Sequence, residues 1–150
     1  MTYKVKLVSQ TNAIVLLFTL LISFLIEAAI FFPHGLHNQT LSILLTLLEF
    51  ALGIFLWQVF VTGRTEWTAD NNRITVSWTK KFAFADIEDY IFDWMEVERI
   101  WKGLDPNYYI LKFKLTSGRT ITFYHAPFAT DDFSDLIKML NQTFDEKKKV

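Results

Sequence analysis

AIVLLFTLLISFLIEAAIFF, residues 13–32, and LSILLTLLEFALGIFLWQVFV, residues 41–61, decide how this chain folds. Between them they hold two ionisable residues, Glu27 and Glu49. A helix rises about 1.5 Å per residue, so each stretch can cross about 30 Å of hydrocarbon with every backbone hydrogen bond satisfied internally. Both are read as transmembrane helices. The connection 33–40, PHGLHNQT, opens with a helix breaker and carries a glycine, so the helices return antiparallel as a hairpin. The first apolar run is longer than the core of a signal peptide, and no A-x-A-like cleavage site follows it.

The 150 residues are 51% hydrophobic yet 21% charged, so apolar and charged residues are segregated along the chain. Without the two helices, fewer than 110 residues remain, enough for one small domain. A fully soluble enzyme, a disordered chain and a nucleic-acid binder are excluded on this pattern. The net charge of −1 exerts no global pull on polyanions. With no cysteine there is no disulfide frame, thiolate metal site or cysteine nucleophile. No phosphate-cradling glycine loop, HExxH or GxSxG occurs, so no catalytic residue, metal site or cofactor is assigned.

All fifteen Lys and Arg lie outside the helices and their loop. Lys4 and Lys6 precede the first helix and the rest begin at Arg64, which puts both termini in the cytoplasm and the 33–40 loop outside. Trp57 and Trp67 are read as interfacial anchors. The organisation is then a segment 1–12, a hairpin 13–61 and a domain 62–150.

Thr19, Ser23 and Glu27 share a face of the first helix, as do Ser42, Thr46, Glu49 and Gly53 on the second. Small and hydroxyl residues let membrane helices approach and hydrogen-bond, so one reading is a packing seam within the hairpin or between copies. Glu27 lies about 8 Å and Glu49 about 12 Å from the outer helix ends, at similar depth. A carboxylate there costs on the order of 2–3 kcal/mol unless it is protonated or paired. The second reading is a shared proton or cation site, with His34 and His37 at its mouth and an oligomer to complete a path.

Beyond Gly63 the period becomes alternating. Residues 66–78 read as two strands around an Asp70-Asn71-Asn72 turn, and 109–115 with 120–124 as a hairpin turning at Ser117-Gly118. Strands are also expected around Asp86–Asp89, and 102–107 is read as a loop. A final amphipathic helix, about 131–145, is capped by Thr130 or Asp131 and places Phe133, Leu136, Ile137, Leu140 and Phe144 on one face. This order predicts an α+β domain: a small antiparallel sheet or barrel closed by a C-terminal helix.

Two membrane helices followed by TEWTADNNRITVSW, FAFADIEDY, YYILKFKLTSGRTITFYHA and the closing DDFSDLIKML resemble the bacterial PH-like membrane proteins, including the YcxB-like group. The resemblance spans 13–144 in layout and rests on Arg73-Ile74, Asp86-Ile87, the Ser117-Gly118-Arg119 tip and the closing helix. It implies a PH-like fold and a multi-pass protein of the bacterial inner membrane, acting as a binding or assembly module and not as an enzyme.

Within the domain, Lys80, Lys81, Lys112, Lys114 and Arg119 are candidates for meeting anionic lipid, each worth about 1 kcal/mol at the surface. Trp94 and Trp101 are core residues or, if exposed, anchors for a partner or for lipid. The acids Asp86, Glu88, Asp89, Asp93, Glu96 and Glu98 lack the spacing of a calcium loop and read as a solvated face. His125 has no nucleophile nearby in sequence and reads as structural. The expected function is a non-catalytic membrane scaffold whose partners are membrane lipid and another membrane protein or a second copy, with no nucleic acid. The alternative is a small ion-conducting or proton-coupled subunit using Glu27 and Glu49.

Overall fold

The computed structural model describes residues 2–31, 39–104, 108–125 and 129–148. The chain forms two compact units, one made of the first eight residues with Thr62 onward, the other of Ser9–Val61.

The second unit is a pair of helices. Helix α1 spans Gln10–Phe31 and α2 Gln39–Leu56, ending in a π-helical turn, Trp57–Val61. Both spans are long and apolar enough to cross a membrane. Ser9 caps α1, its Oγ accepting the Asn12 N–H at 3.3 Å. At this same end of the pair, the π turn frees carbonyls that the start of α1 satisfies: the Asn12 amide donates to the Phe60 carbonyl at 2.8 Å and the Ser9 N–H to that of Val61 at 3.0 Å. Further along, Leu20 meets Gly53 and Ser23 meets Glu49, so the two helices run antiparallel. Most other side chains point outward within this chain; Phe50 is 70% and Leu48 65% exposed, whereas the core helix of a water-soluble protein is mostly buried. The expected loop 33–40, with His34 and His37, lies almost wholly outside the described residues, as does the Ser42 side chain.

The other unit is a seven-stranded antiparallel sheet with one helix. Its strands are β1 Thr2–Val8, β2 Thr62–Ala69, β3 Arg73–Lys80, β4 Tyr90–Asp93, β5 Val97–Leu104, β6 Tyr109–Leu115 and β7 Thr120–His125, in the order β4-β3-β2-β1-β7-β6-β5. The edges β4 and β5 do not pair, so the sheet is open and not a closed barrel. It is strongly curled all the same: Phe92 on β4 stacks on Phe113 of β6 at 5.2 Å between ring centres, and Tyr90 meets Phe123 of β7 edge-on at 5.5 Å. Helix α3, Phe133–Lys148, lays Phe133, Leu136 and Leu140 into the same core.

Four expectations are corrected here. Thr2–Val8, read from sequence as part of a separate N-terminal segment, is the central strand, pairing with β2 along its whole length from Thr2↔Thr68 to Val8↔Thr62. Trp67, read as an interfacial anchor, is fully buried: it sits on the inward side of β2, its indole N–H donating to Thr65 Oγ1 at 2.8 Å. No strand forms around Asp86–Asp89; β4 reaches β3 only as far as Val76↔Tyr90, and the Asp89 carboxylate instead accepts the Trp78 N–H at 2.8 Å. Likewise residues 102–104, read as loop, continue β5, while 105–107 lie outside the described residues.

The β1–β7 junction holds the two halves of the sheet together. These strands share a single register pair, Leu7↔His125, which leaves the backbone of β1 open beyond it. The residues entering α3 fill that gap. Asp131 Oδ2 accepts the Lys6 N–H at 2.7 Å, Asp132 Oδ2 the Lys4 N–H at 2.8 Å, and the Asp132 N–H donates to the Lys4 carbonyl at 3.2 Å. Asp131 also takes the Phe133 N–H, as a helix cap does, and lies 2.9 Å from His125 Nε2 through both oxygens.

Candidate functional site

In the helix unit the polar side chains on the facing surfaces come together at one place. The Ser23 hydroxyl donates to Glu49 Oε1, joining the two helices through one of the carboxyls expected at depth. Glu27, one turn on from Ser23, is half-buried, and its carboxylate has no hydrogen-bond or ion-pair partner among the described residues. Thr19 and Thr46 are exposed, and Thr19 returns its hydroxyl to the Val15 carbonyl at 2.9 Å, a common way for a helix to satisfy a threonine in an apolar setting. The facing residues of α1 are instead Leu16, Leu20, Ser23 and Glu27 at alternating spacings of three and four, the period of two helices packed side by side. Gly53 serves the close approach, since a Cβ there would stand 3.2 Å from Leu20 Cδ1. A cleft of about 300 Å³ between the helices is lined by Leu20, Glu49, Gly53, Trp57 and Gln58 among others.

In the sheet unit alternation divides the residues between a core side and an outer side. The register Trp101↔Lys112 and Arg99↔Lys114 brings two of the expected basic residues and one tryptophan onto neighbouring strands of the outer side. There the Arg99 guanidinium lies 5.6 Å and Lys112 Nζ 6.0 Å from the Trp101 ring centre, and Lys114 Nζ pairs with Glu98 at 2.8 Å. Trp101 is half-buried and presents its ring between two cations. Trp94 has a different setting. It is buried, with its indole N–H donating to the Asp70 carbonyl at 2.9 Å, and it packs in the core.

Lys80 closes β3 opposite Arg64, Lys81 follows it exposed, and Arg119 stands exposed at the β6–β7 turn, where Gly118 adopts a φ of 82° that a side chain would resist. The acids expected to form a solvated face divide among separate tasks, Asp89 on the Trp78 N–H and Glu98 on Lys114. Among the described residues no three His, Asp or Glu side chains gather as metal ligands would.

Sequence reasoning missed Arg99, whose contact with Trp101 depends on the β5 pairing, and the His125–Asp131 pair, whose members are six apart in sequence. His125 is buried, stacked face to face on Phe133 at 4.0 Å, with its Nδ1 unpartnered among the described residues. Burial pushes the Asp131 carboxyl up. Hydrogen bonds from His125 and the Lys6 N–H, the neighbouring charge of His125 and the Phe133 N–H outweigh that and hold it below the ordinary carboxylate value. At the β2–β3 turn Asp70 is also held low, by the N–H groups of Asn72 and Arg73.

Comparison with protein-family models, curated proteins and solved structures finds no match for this chain.

Proposed function

We propose that the chain is an integral protein of the bacterial inner membrane in which an antiparallel helix pair anchors a cytoplasmic, PH-like sheet domain that acts as a non-catalytic binding or scaffolding module for a membrane complex. One observation carries the reading: two helices of membrane-spanning length whose apolar side chains face outward nearly all round. Water would penalise such a surface by roughly 25 cal/mol for each Å² left exposed, whereas hydrocarbon accepts it. Lys and Arg lie on both flanks of the pair, which supports placing both termini on the cytoplasmic side. The PH-like reading is supported by a curled antiparallel sheet whose core is covered by a C-terminal helix. The cation-flanked Trp101 on the outer side is the surface offered to a partner.

A second reading, a proton- or cation-coupled subunit, is favoured by one observation. The Glu49 carboxyl is held inside the helix pair by Ser23, with the half-buried Glu27 one turn of α1 from Ser23. The mass of the gently extracted full-length protein, with co-purifying polypeptides identified, tests both. A defined heteromer supports the scaffold. A homo-oligomer that loses proton flux on Glu49→Gln overturns it in favour of the second reading, and a bare monomer contradicts both.

A further inference from the structure

The helix pair carries acid and no strong base. From Ser9 to Val61 the chain holds two carboxyls, Glu27 and Glu49, and no Lys or Arg; its histidines, His34 and His37, lie in sequence outside both apolar spans. Glu49 is three residues from the middle of the span Ile43–Val61, where a charge is tolerated only with a partner. Ser23 gives Oε1 one hydrogen bond, and Oε2 accepts none among the described residues. A hydroxyl satisfies an oxygen but leaves a carboxylate's charge uncompensated.

The same carboxyl lines the cleft of about 300 Å³ between α1 and α2. Its walls are Leu17 and Leu20 on one helix and Phe50 and Ile54 on the other, and Gly53 leaves room between them. Leu17, Phe50 and Ile54 are all exposed, so the pair does not close the cleft itself. Apolar walls around a residue without a side chain are what another membrane helix packs against.

Charge decides the occupant. A second copy of this chain would bring more carboxyls and no Lys or Arg within its spans, and a lipid tail brings no charge at all. We propose that the cleft receives a membrane-spanning helix of a different protein, one with a Lys or Arg in the interior of its own apolar span, and that this cation pairs with Glu49. Either charge alone is costly in hydrocarbon, and pairing removes both costs together, which makes the association selective. This assignment rests on the scaffold reading above and deepens it, giving the partner's chemistry and making the complex a heteromer.

The test uses the full chain in neutral detergent micelles and a fluorescent synthetic helix of leucine and alanine, about 20 residues long with uncharged ends, carrying Lys, Gln or Leu at its centre. Binding is read from the anisotropy of the peptide as the chain is added. The Lys peptide is expected to bind roughly tenfold more tightly than either the Leu or the Gln peptide. Glu49→Gln is expected to erase that preference, and Glu27→Gln to keep it. Should Glu49→Gln lose its helical dichroism, Leu17→Trp decides: it fills the cleft from an exposed position and is expected to weaken the Lys peptide about tenfold. Equal binding of the Lys and Leu peptides, equal binding of the Lys and Gln peptides, a Lys preference that survives Glu49→Gln, or undiminished binding by Leu17→Trp overturns the proposal. A full chain that extracts as a bare monomer refutes the scaffold reading itself; a heteromer whose chain shows no Lys preference refutes the cation pairing alone.

Discussion

Both carboxylate oxygens of Asp131 lie 2.9 Å from His125 Nε2, so that the residue opening α3 is fixed to the last residue of β7. The same carboxylate takes the backbone N–H of Lys6, which joins β1, β7 and α3 through one side chain. Asp131→Ala leaves His125 buried without its partner and frees the Lys6 N–H, and is expected to cost about 2–4 kcal/mol, measured as a fall in melting temperature.

Acid sensitivity follows from the same group. A carboxyl whose folded pKa lies below its unfolded value adds stability that is fully present above the ordinary carboxylate range and is lost as pH falls through the lower folded value. Melting temperature is therefore expected to fall on the acid side of that range, and Asp131→Asn is expected to melt lower at neutral pH with a shallower acid decline. An unchanged acid decline in the variant would assign it to other carboxyls, Asp70 among them.

Gly63 has no room for a side chain. A Cβ there would stand 2.7 Å from Trp78 Cζ3, 2.9 Å from Phe82 Cε1 and 3.1 Å from the Lys80 carbonyl oxygen. Gly63→Ala is expected to destabilise the sheet unit by about 1–3 kcal/mol. At Gly103 the nearest atom would be 3.9 Å away, and alanine there should change melting little.

The hydrogen bond from Ser23 to Glu49 needs an acceptor and not a charge. Under the scaffold reading Glu49→Gln keeps the helices paired, while Ser23→Ala costs about 0.6–2 kcal/mol of helix association, read by denaturation in detergent. Loss of function in Glu49→Gln with assembly intact would favour the titrating role.

Much of this architecture could be read from local pattern. The β2–β3 and β6–β7 hairpins announce themselves by alternation around Asp70–Asn72 and Ser117–Gly118, and α3 by its apolar stripe from Phe133 to Leu140. What escaped depended on distant pairing. TYKVKLV alternates as a strand should, but its β2 partner lies beyond both helices, and a seven-residue run beside a membrane segment reads as a flank. Trp67 looked interfacial because Trp belts are common beside such helices; the inward side of β2, shared with Thr65, claimed it instead. Of the expected surface residues, Lys112, Lys114 and Trp101 gather because β5 pairs with β6, whereas Trp94 turns inward.

Because Val8 and Thr62 are register partners, their ends lie about 5 Å apart and can be joined by a two-residue Asn-Gly turn in place of residues 9–61. The most direct test of the account is to express the full chain and this joined variant in a bacterium and follow both through an alkaline wash of the membranes. The full chain is expected in the washed membrane pellet and the variant in the soluble fraction, folded, with the near-ultraviolet signal of a packed Trp67. A full chain released by the wash, or a joined variant that stays in the washed membranes, would contradict the claim that the helix pair is the anchor of an independently folded sheet domain.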